Sequence, residues 1–328
     1  MKLSIIIPAF NAATTLPVTL GSIPPSNDHQ IEVIVVDDAS SDATAEIARR
    51  FTDKVLVMER NQGPSIARNR AARLATGEVF LFIDADVELL PGTLERVIAT
   101  LTDNPECAGV AGNLSTDSHS ETFIGTYKNL YMHYAFRDNR RSTGAPYTSI
   151  VAVRRAAFEA VGGFVDVLPN EDRIFGIDLA RKGYQVLFDT DIQVRHHRSY
   201  GWREFMVVEA KRAKNIVQLH LETKLLGRGR MKEHIPPSFV LALALVLTCP
   251  TLAVAGLALW PALLWAVPVA GLGFVTTLLP FTLFLGRHRG FCFAAAGLLF
   301  SILDLVICCV GAAWGIAAFV LGQRLIPT

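Results

Sequence analysis

Before residue 90 the apolar residues come in short blocks rather than at helical spacing. Ile5-Ile6-Ile7, Val33-Ile34-Val35-Val36, Val55-Leu56-Val57-Met58 and Val79-Phe80-Leu81-Phe82-Ile83 are runs of large, mostly β-branched or aromatic side chains. A run that is apolar on both faces predicts a strand buried on both sides. Helix starts lie between the blocks. Residues 12–22 predict a weak helix. Ser40, Ser41 and Asp42 open another, with Ile47, Ala48 and Phe51 on its apolar side, and Gly63-Pro64 opens a third through about Ala75. Strand, helix and strand alternating with short polar links predict a parallel α/β sheet.

Further along the pattern is less regular. Pro91-Gly92 starts a helix to about Leu101, and residues 121–136 form an aromatic-rich helix. Tyr147 to Val153 reads as a strand, Arg154 to Val161 as a helix ending at Gly162-Gly163, and Glu171-Asp172 opens a helix up to Gly183. Gln185 to Phe188 is a short strand followed by Arg195-His196-His197-Arg198, and residues 202–222 are helical in pattern.

From residue 235 charge nearly disappears, and three apolar stretches follow, 236–258, 261–285 and 291–321. About 20 apolar residues cover the roughly 30 Å of a hydrocarbon core, so each is a candidate membrane span. The expected organisation is a globular domain over 1–200, a basic amphipathic interfacial segment over 201–234 and a transmembrane region over 235–328. Residues 209–234 hold seven Lys/Arg against three Glu, which suits an anionic lipid leaflet. With the basic link Gly286-Arg287-His288-Arg289-Gly290 on that same side, the positive-inside rule places the end of the chain outside. The third stretch contains Asp304, which is either functional or seated near an interface.

Composition fits that division. The chain is 51% hydrophobic and 19% charged, too apolar for an ordinary soluble domain. Four of the five cysteines, Cys249, Cys292, Cys308 and Cys309, lie in the apolar part, and with Cys107 none has metal-ligand spacing. No basic pattern points to nucleic acid. The N-terminal apolar run is stopped at Pro8, too early for a signal peptide, so the first domain is expected in the cytoplasm.

Three of the predicted strands carry polar side chains at their carboxyl ends: Asn11, then Asp37 and Asp38, then Asp84 and Asp86. Ligands of open α/β sheets bind at that edge. Two carboxylates there suit a hard divalent cation, and a cation suits phosphates. No Gly-x-Gly-x-x-Gly or Walker loop follows the first strand, which disfavours a dinucleotide or P-loop site.

Four motifs in order carry a resemblance. Ile5-Ile6-Ile7-Pro8-Ala9-Phe10-Asn11, Val35-Val36-Asp37-Asp38-Ala39-Ser40-Ser41-Asp42, Asn61-Gln62-Gly63-Pro64-Ser65-Ile66-Ala67-Arg68-Asn69 and Asp84-Ala85-Asp86 resemble the signatures of the family 2 glycosyltransferases with a GT-A fold. Gly162-Gly163-Phe164, Glu171-Asp172, Gly183 and His196 extend the likeness over about residues 3–200. The leucine and arginine often found four and seven residues after the glutamate are Phe175 and Asp178 here. The Gln-x-x-Arg-Trp motif of processive synthases is absent, which favours addition of one sugar over polymerisation.

The resemblance implies a GT-A, Rossmann-like mixed sheet followed by transmembrane helices. It implies an inverting, metal-dependent transferase, integral to the cell (inner) membrane, with its catalytic domain at the cytoplasmic face. The donor would be a nucleotide-diphospho-sugar, a UDP-sugar favoured, and the acceptor polyprenyl phosphate, a glycolipid or another membrane-associated molecule. The implied cofactor is Mg2+ or Mn2+, with Asp86, Asp84 and His196 as metal candidates. Pro8, Asn11, Asp38, Gly63, Arg68 and Asp84 would line the nucleotide-sugar pocket. Asp172, with Glu171 beside it, would act as the base, since adjacent carboxylates raise one another's proton affinity. The rival readings are a non-catalytic membrane scaffold or sugar-binding protein of the same fold, a sugar-1-phosphate nucleotidyltransferase, whose glycine-rich opening loop is absent, and a transporter built on the apolar region.

Overall fold

A computed structural model describes residues 1–25, 29–137, 148–225 and 236–325. The described residues form two compact units, one over Met1–Ser199 and the other holding the last four long helices.

In the first unit the elements run β1 (Lys2–Ala9), α1 (Leu16–Gly21), β2 (Gln30–Asp37), α2 (Thr44–Arg49), β3 (Val55–Val57), α3 (Pro64–Leu74), β4 (Val79–Ile83), β5 (Val87–Leu89), α4 (Thr93–Asp103), β6 (Gly109–Leu114), α5 (Phe123–Phe136), β7 (Ile150–Arg154), α6 (Arg155–Val161), α7 (Glu171–Arg181) and β8 (Val186–His196). One eight-stranded sheet is ordered β3-β2-β1-β4-β7-β6-β8-β5. Strands β3, β2, β1 and β4 are mutually parallel, as the apolar blocks predict. Strand β7 then runs antiparallel to both β4 and β6, while β8 is parallel to β6 and antiparallel to β5, so the sheet is mixed.

The pleat divides the core. Leu3, Ile5, Ile7, Val35, Leu81 and Ile83 pack on one face; Ile6, Ile34, Val36, Phe80 and Phe82 pack on the other, all buried. Burying one such side chain contributes about 1.5–3 kcal/mol, which is why runs apolar on both faces are fixed inside the sheet. The parallel strands deliver their carboxyl ends to a common edge.

Differences from the sequence reading concentrate in the second half of this unit. The strand expected over 185–188 continues to His196. Its middle, Asp189-Thr190-Asp191, looks like a break, but Arg96 of α4 donates its Nε to Asp189 at 2.8 Å and Thr100 donates to the same carboxylate at 3.1 Å. The short strands β5 and β6 carry Glu88 and two glycines and give no alternation long enough to read. Helix α1 is shorter than the 12–22 expected. The strand expected from Tyr147 is seen as Ile150–Arg154; Tyr147 itself lies outside the described residues.

The second unit contains α8 (Trp202–Leu225), α9 (Pro237–Ala258), a 3-10 turn over Pro261–Trp265, α10 (Ala266–Arg289) and α11 (Phe291–Val320). The segments Pro237–Ala258, Pro261–Arg289 and Phe291–Val320 are long and apolar enough to cross a membrane. Residues 226–234 of the basic segment 201–234 lie outside the described residues; its helical part, α8, packs along α11. Asp304 is buried within this unit.

Candidate active site

The site is built around one buried cation. Arg68 projects from the second turn of α3 and is 2% exposed. Its Nη2 donates to Asp84, just past β4, at 2.7 Å, and its Nη1 donates to Glu171, the first residue of α7, at 3.0 Å. The Phe164 ring lies 5.5 Å from the guanidinium. Burial works against the charge on Arg68, but the two carboxylates outweigh it and raise its pKa further above its ordinary range. Burial, with Asp172 next door, pushes the Glu171 carboxyl up, and Arg68 opposes that shift. Asp172 is half-buried in the first turn of α7, where the helix's positive end favours acids, and its Oδ1 accepts the Arg173 N–H at 2.8 Å.

The sheet register adds a second hold on Asp84. Ile83 pairs with Ile150 across the antiparallel β4–β7 ladder, so Ser149 falls opposite Asp84 and donates its hydroxyl to Oδ2 at 3.0 Å. Sequence reasoning misses Ser149, because nothing local to it announces the partner strand.

Asp86 has different company. His196 Nε2 lies 3.5 Å from its Oδ1. The β5–β8 ladder sets Val87 opposite His196, and the His197 N–H donates to the Asp86 carbonyl at 2.8 Å. Burial raises the proton affinity of Asp86, but His196 and Arg198 overcome it and hold the carboxyl below the usual range. Behind this pair, Glu88 accepts from Arg195 with both oxygens at 2.9 Å and lies 3.0 Å from His197 Nε2. Glu88 and Arg195 were absent from the predicted site, and the register of β5 on β8 is the only signal for them.

The other predicted residues hold the frame. Asn69 mimics a strand edge: its Nδ2 donates to the Phe164 carbonyl at 2.7 Å and its Oδ1 accepts the Phe164 N–H at 2.9 Å. Gly163 lies under that clamp at φ +82°, where an added Cβ would stand 2.4 Å from Asn69 Oδ1. Asp38, buried, accepts the N–H groups of Gln62 and Gly63 at 2.8 and 2.7 Å and so fixes the turn that starts α3. Asn11, exposed at φ +49°, accepts the Ser41 N–H at 2.9 Å and joins the ends of β1 and β2, while Pro8 is buried inside β1. Phe175, where the resembling family often has leucine, packs 4.5 Å centroid to centroid on Phe164.

Among the described residues no three His, Cys, Asp or Glu side chains gather to hold a metal ion. Asp86 with His196 is a two-donor arrangement that suits a cation completing its shell on phosphate oxygens. Asp84 is less suited, because Arg68 brings a positive charge to its carboxylate.

Residues 4–162 match the family described as "Glycosyl transferase family 2". Over 101 residues the chain is 35% identical to the uncharacterized glycosyltransferase YibD of Escherichia coli (strain K12), covering 30% of this chain and 29% of that protein. It thus spans under a third of that relative's length. Among solved structures, the mannosyltransferase PcManGT from Pyrobaculum calidifontis in complex with GDP-Man and Mn2+ superposes with a TM-score of 0.58 at 22% identity, covering 95% of this chain and 87% of that one. Glucosyl-3-phosphoglycerate synthase from Mycobacterium tuberculosis, in complex with Mn2+ and uridine-diphosphate-glucose, gives 0.51 at 18% identity over 71% of this chain and 80% of that one. At these identities the two likenesses establish a shared GT-A fold.

Proposed function

From the match of residues 4–162 to the family described as "Glycosyl transferase family 2" we propose that the chain is an inverting glycosyltransferase of that family. It moves a single sugar from a nucleotide-diphospho-sugar, a UDP-sugar in the first instance, to a lipid-linked or membrane-proximal acceptor at the cytoplasmic face of the cell membrane. The observation that carries this reading is the Arg68 guanidinium shared between Asp84 and Glu171. It joins the carboxylates after β4 to those opening α7, as a reaction with a charged donor on one side and an acceptor on the other requires.

In this reading the acceptor hydroxyl gives its proton to Asp172 while its oxygen attacks the anomeric carbon. The bond from that carbon to the diphosphate breaks, and the electron pair leaves with the diphosphate. Glu171 is fixed by Arg68 and sets the position of Asp172 on the same turn. A polyprenyl-phosphate acceptor would arrive already anionic, and Asp172 would then orient it. Asp86 and His196 would hold Mg2+ or Mn2+, which when bound supplies Lewis-acid neutralisation of the leaving diphosphate. Asp84, with Arg68 and Ser149, presents a fixed rim to the donor. The ligands in the two solved relatives, GDP-Man or uridine-diphosphate-glucose with Mn2+, support a nucleotide-sugar donor and a divalent metal.

The test is turnover of nucleotide sugars by the full chain and by Asp86→Ala and Asp172→Asn. Each variant is expected to lose activity by about 100-fold or more, the usual scale for removing an acid–base or electrostatic group. Full activity in either removes its assigned role. Wild-type chain that binds a nucleotide sugar but neither transfers nor hydrolyses it with metal present would favour a binding protein of the same fold.

A further inference from the structure

Helix α8 does not lie alone. Trp202 and Phe205 pack on Phe300 with ring centroids 5.5 and 5.0 Å apart. Further along, a Cβ added to Gly311 would stand 2.3 Å from the Ala210 carbonyl oxygen, and one on Gly315 would stand 2.4 Å from that of Lys214. Lys214 Nζ sits 5.1 Å from the Trp314 ring centre. At the far end Gln218 Nε2 donates to the Gln323 carbonyl at 2.8 Å, and the Leu325 N–H donates to Glu222 at 2.8 Å. The contacts advance in the same direction on both helices, so α8 and α11 are a parallel pair in backbone contact through Gly311-x-x-x-Gly315.

That pairing constrains the membrane. Helix α11 has 30 residues, and a crossing takes about 20 of them. A crossing that starts at Phe291 sets the exposed Arg203 and Glu204, level with Phe300, deep in the hydrocarbon. One that starts further along sets the exposed Lys211 there, next to Gly311. No placement of α11 across the bilayer spares α8, and exposed charges are excluded from lipid. A third of the most apolar window of α11 is already covered by protein (33%), against 11% for each of the other two candidate spans.

We propose that the chain crosses the membrane twice, through α9 and α10, and that α8 and α11 together form a lipid-facing platform in the interface on the side where α8 begins. Charge supports this occupant: α8 exposes Arg203, Lys211 and Lys224 to headgroups while α11 exposes Leu299, Val310 and Val320 to acyl chains. Trp260 and Trp265, 66% and 82% exposed at the α9–α10 turn, suit the opposite interface. Helix α10 returns to end in Arg287-His288-Arg289, and Gly290 at φ +83° lets the chain turn into the platform. Gln323 therefore shares a side with the first unit instead of lying across the membrane from it.

The experiment is labelling of single cysteines with a membrane-impermeant maleimide, in sealed vesicles of both orientations. The background is the full chain with its five native cysteines replaced by serine or alanine. Gln323→Cys and Lys211→Cys are expected to label from the same side as Glu106→Cys in the first unit, and Leu259→Cys from the opposite side. Labelling of Gln323→Cys together with Leu259→Cys would overturn the proposal and restore a third crossing. The readout does not depend on glycosyl transfer, so it stands or falls separately from the proposed activity.

Discussion

Arg68 and Glu171 lie 103 positions apart in sequence and meet at 3.0 Å, both nearly shut off from solvent. The contact fastens α3, which follows the third parallel strand, to α7, which lies beyond the antiparallel part of the sheet. Arg68 Nε has no acceptor among the described residues, so the guanidinium is held by its two forked ends alone. Removing Arg68 strips both carboxylates of their shared cation, while removing Glu171 leaves Asp84 on the guanidinium.

Arg68→Met is therefore expected to cost roughly 3–5 kcal/mol of stability, the range for breaking a buried pair, and Glu171→Gln less, because Asp84 still pairs with the guanidinium. The double variant should recover part of that loss, with a coupling of about 0.5–3 kcal/mol. Denaturation of the four proteins in a double-mutant cycle measures it. Strict additivity would mean that the two groups do not interact.

The adjacent glycines Gly162 and Gly163 provide an internal control. Both have φ near +80°, yet a Cβ on Gly162 meets nothing within 4 Å while one on Gly163 meets Asn69. Gly162→Ala should cost only the left-handed strain, about 1–2 kcal/mol. Gly163→Ala should cost more, because the clamp from Asn69 to Phe164 must open, and its Tm should fall below that of Gly162→Ala.

Acid should release a specific structural carboxylate. Glu32, on β2, accepts from Thr76 and Gly77, from the Ser4 hydroxyl and from Lys54. Burial works against its charge, but Lys54, Ser4 and Thr76 lower its pKa from 4.5 to about 2. A depressed carboxylate stabilises the fold above its unfolded value and loses that contribution as pH falls through its folded value. Glu32 should thus support the fold fully above about pH 5 and lose its contribution between 4.5 and about 2. Glu32→Gln should be less stable than the native chain at pH 7, and the gap should close toward pH 2 in acid-unfolding curves.

The neighbours of the two aspartates separate their roles. Asp86→Asn and His196→Ala should abolish the rise in Tm produced by Mn2+ in the presence of UDP. Asp84→Asn should lower the starting Tm, through Arg68, and keep part of that Mn2+ response. Equal loss of the metal response in all three, measured by thermal shift, would place Asp84 on the metal as well.

The parallel half of the sheet is legible in the sequence because β1, β4 and the end of β2 are buried on both faces, and such runs have few other readings; β3, expected to be buried likewise, is an edge strand with Val57 exposed. The edge carrying Asp84 and Asp86 follows from the same runs. Ser149 and Glu88 could not be read this way, since each reaches the site through an antiparallel register that depends on distant strands. Strand β8 hides behind Asp189 and Asp191, whose partner Arg96 is remote in the chain. Asp38 shows the opposite limit: it is legible as a site residue, but its oxygens hold the Gln62 and Gly63 backbone, which no motif discloses.

Strand β5 has three residues and stands last in the sheet, with β8 as its only strand partner among the described residues. The ladder that aligns Asp86 with His196 is therefore an edge pairing, while Asp84 leaves a strand flanked on both sides. Amide hydrogens of β5 should exchange with solvent long before those of β4, because edge pairings open locally without global unfolding. The two aspartates, one residue apart, thus sit on opposite sides of a boundary in local stability, and a bound ligand at Asp86 would register first as slowed exchange along Val87–Leu89.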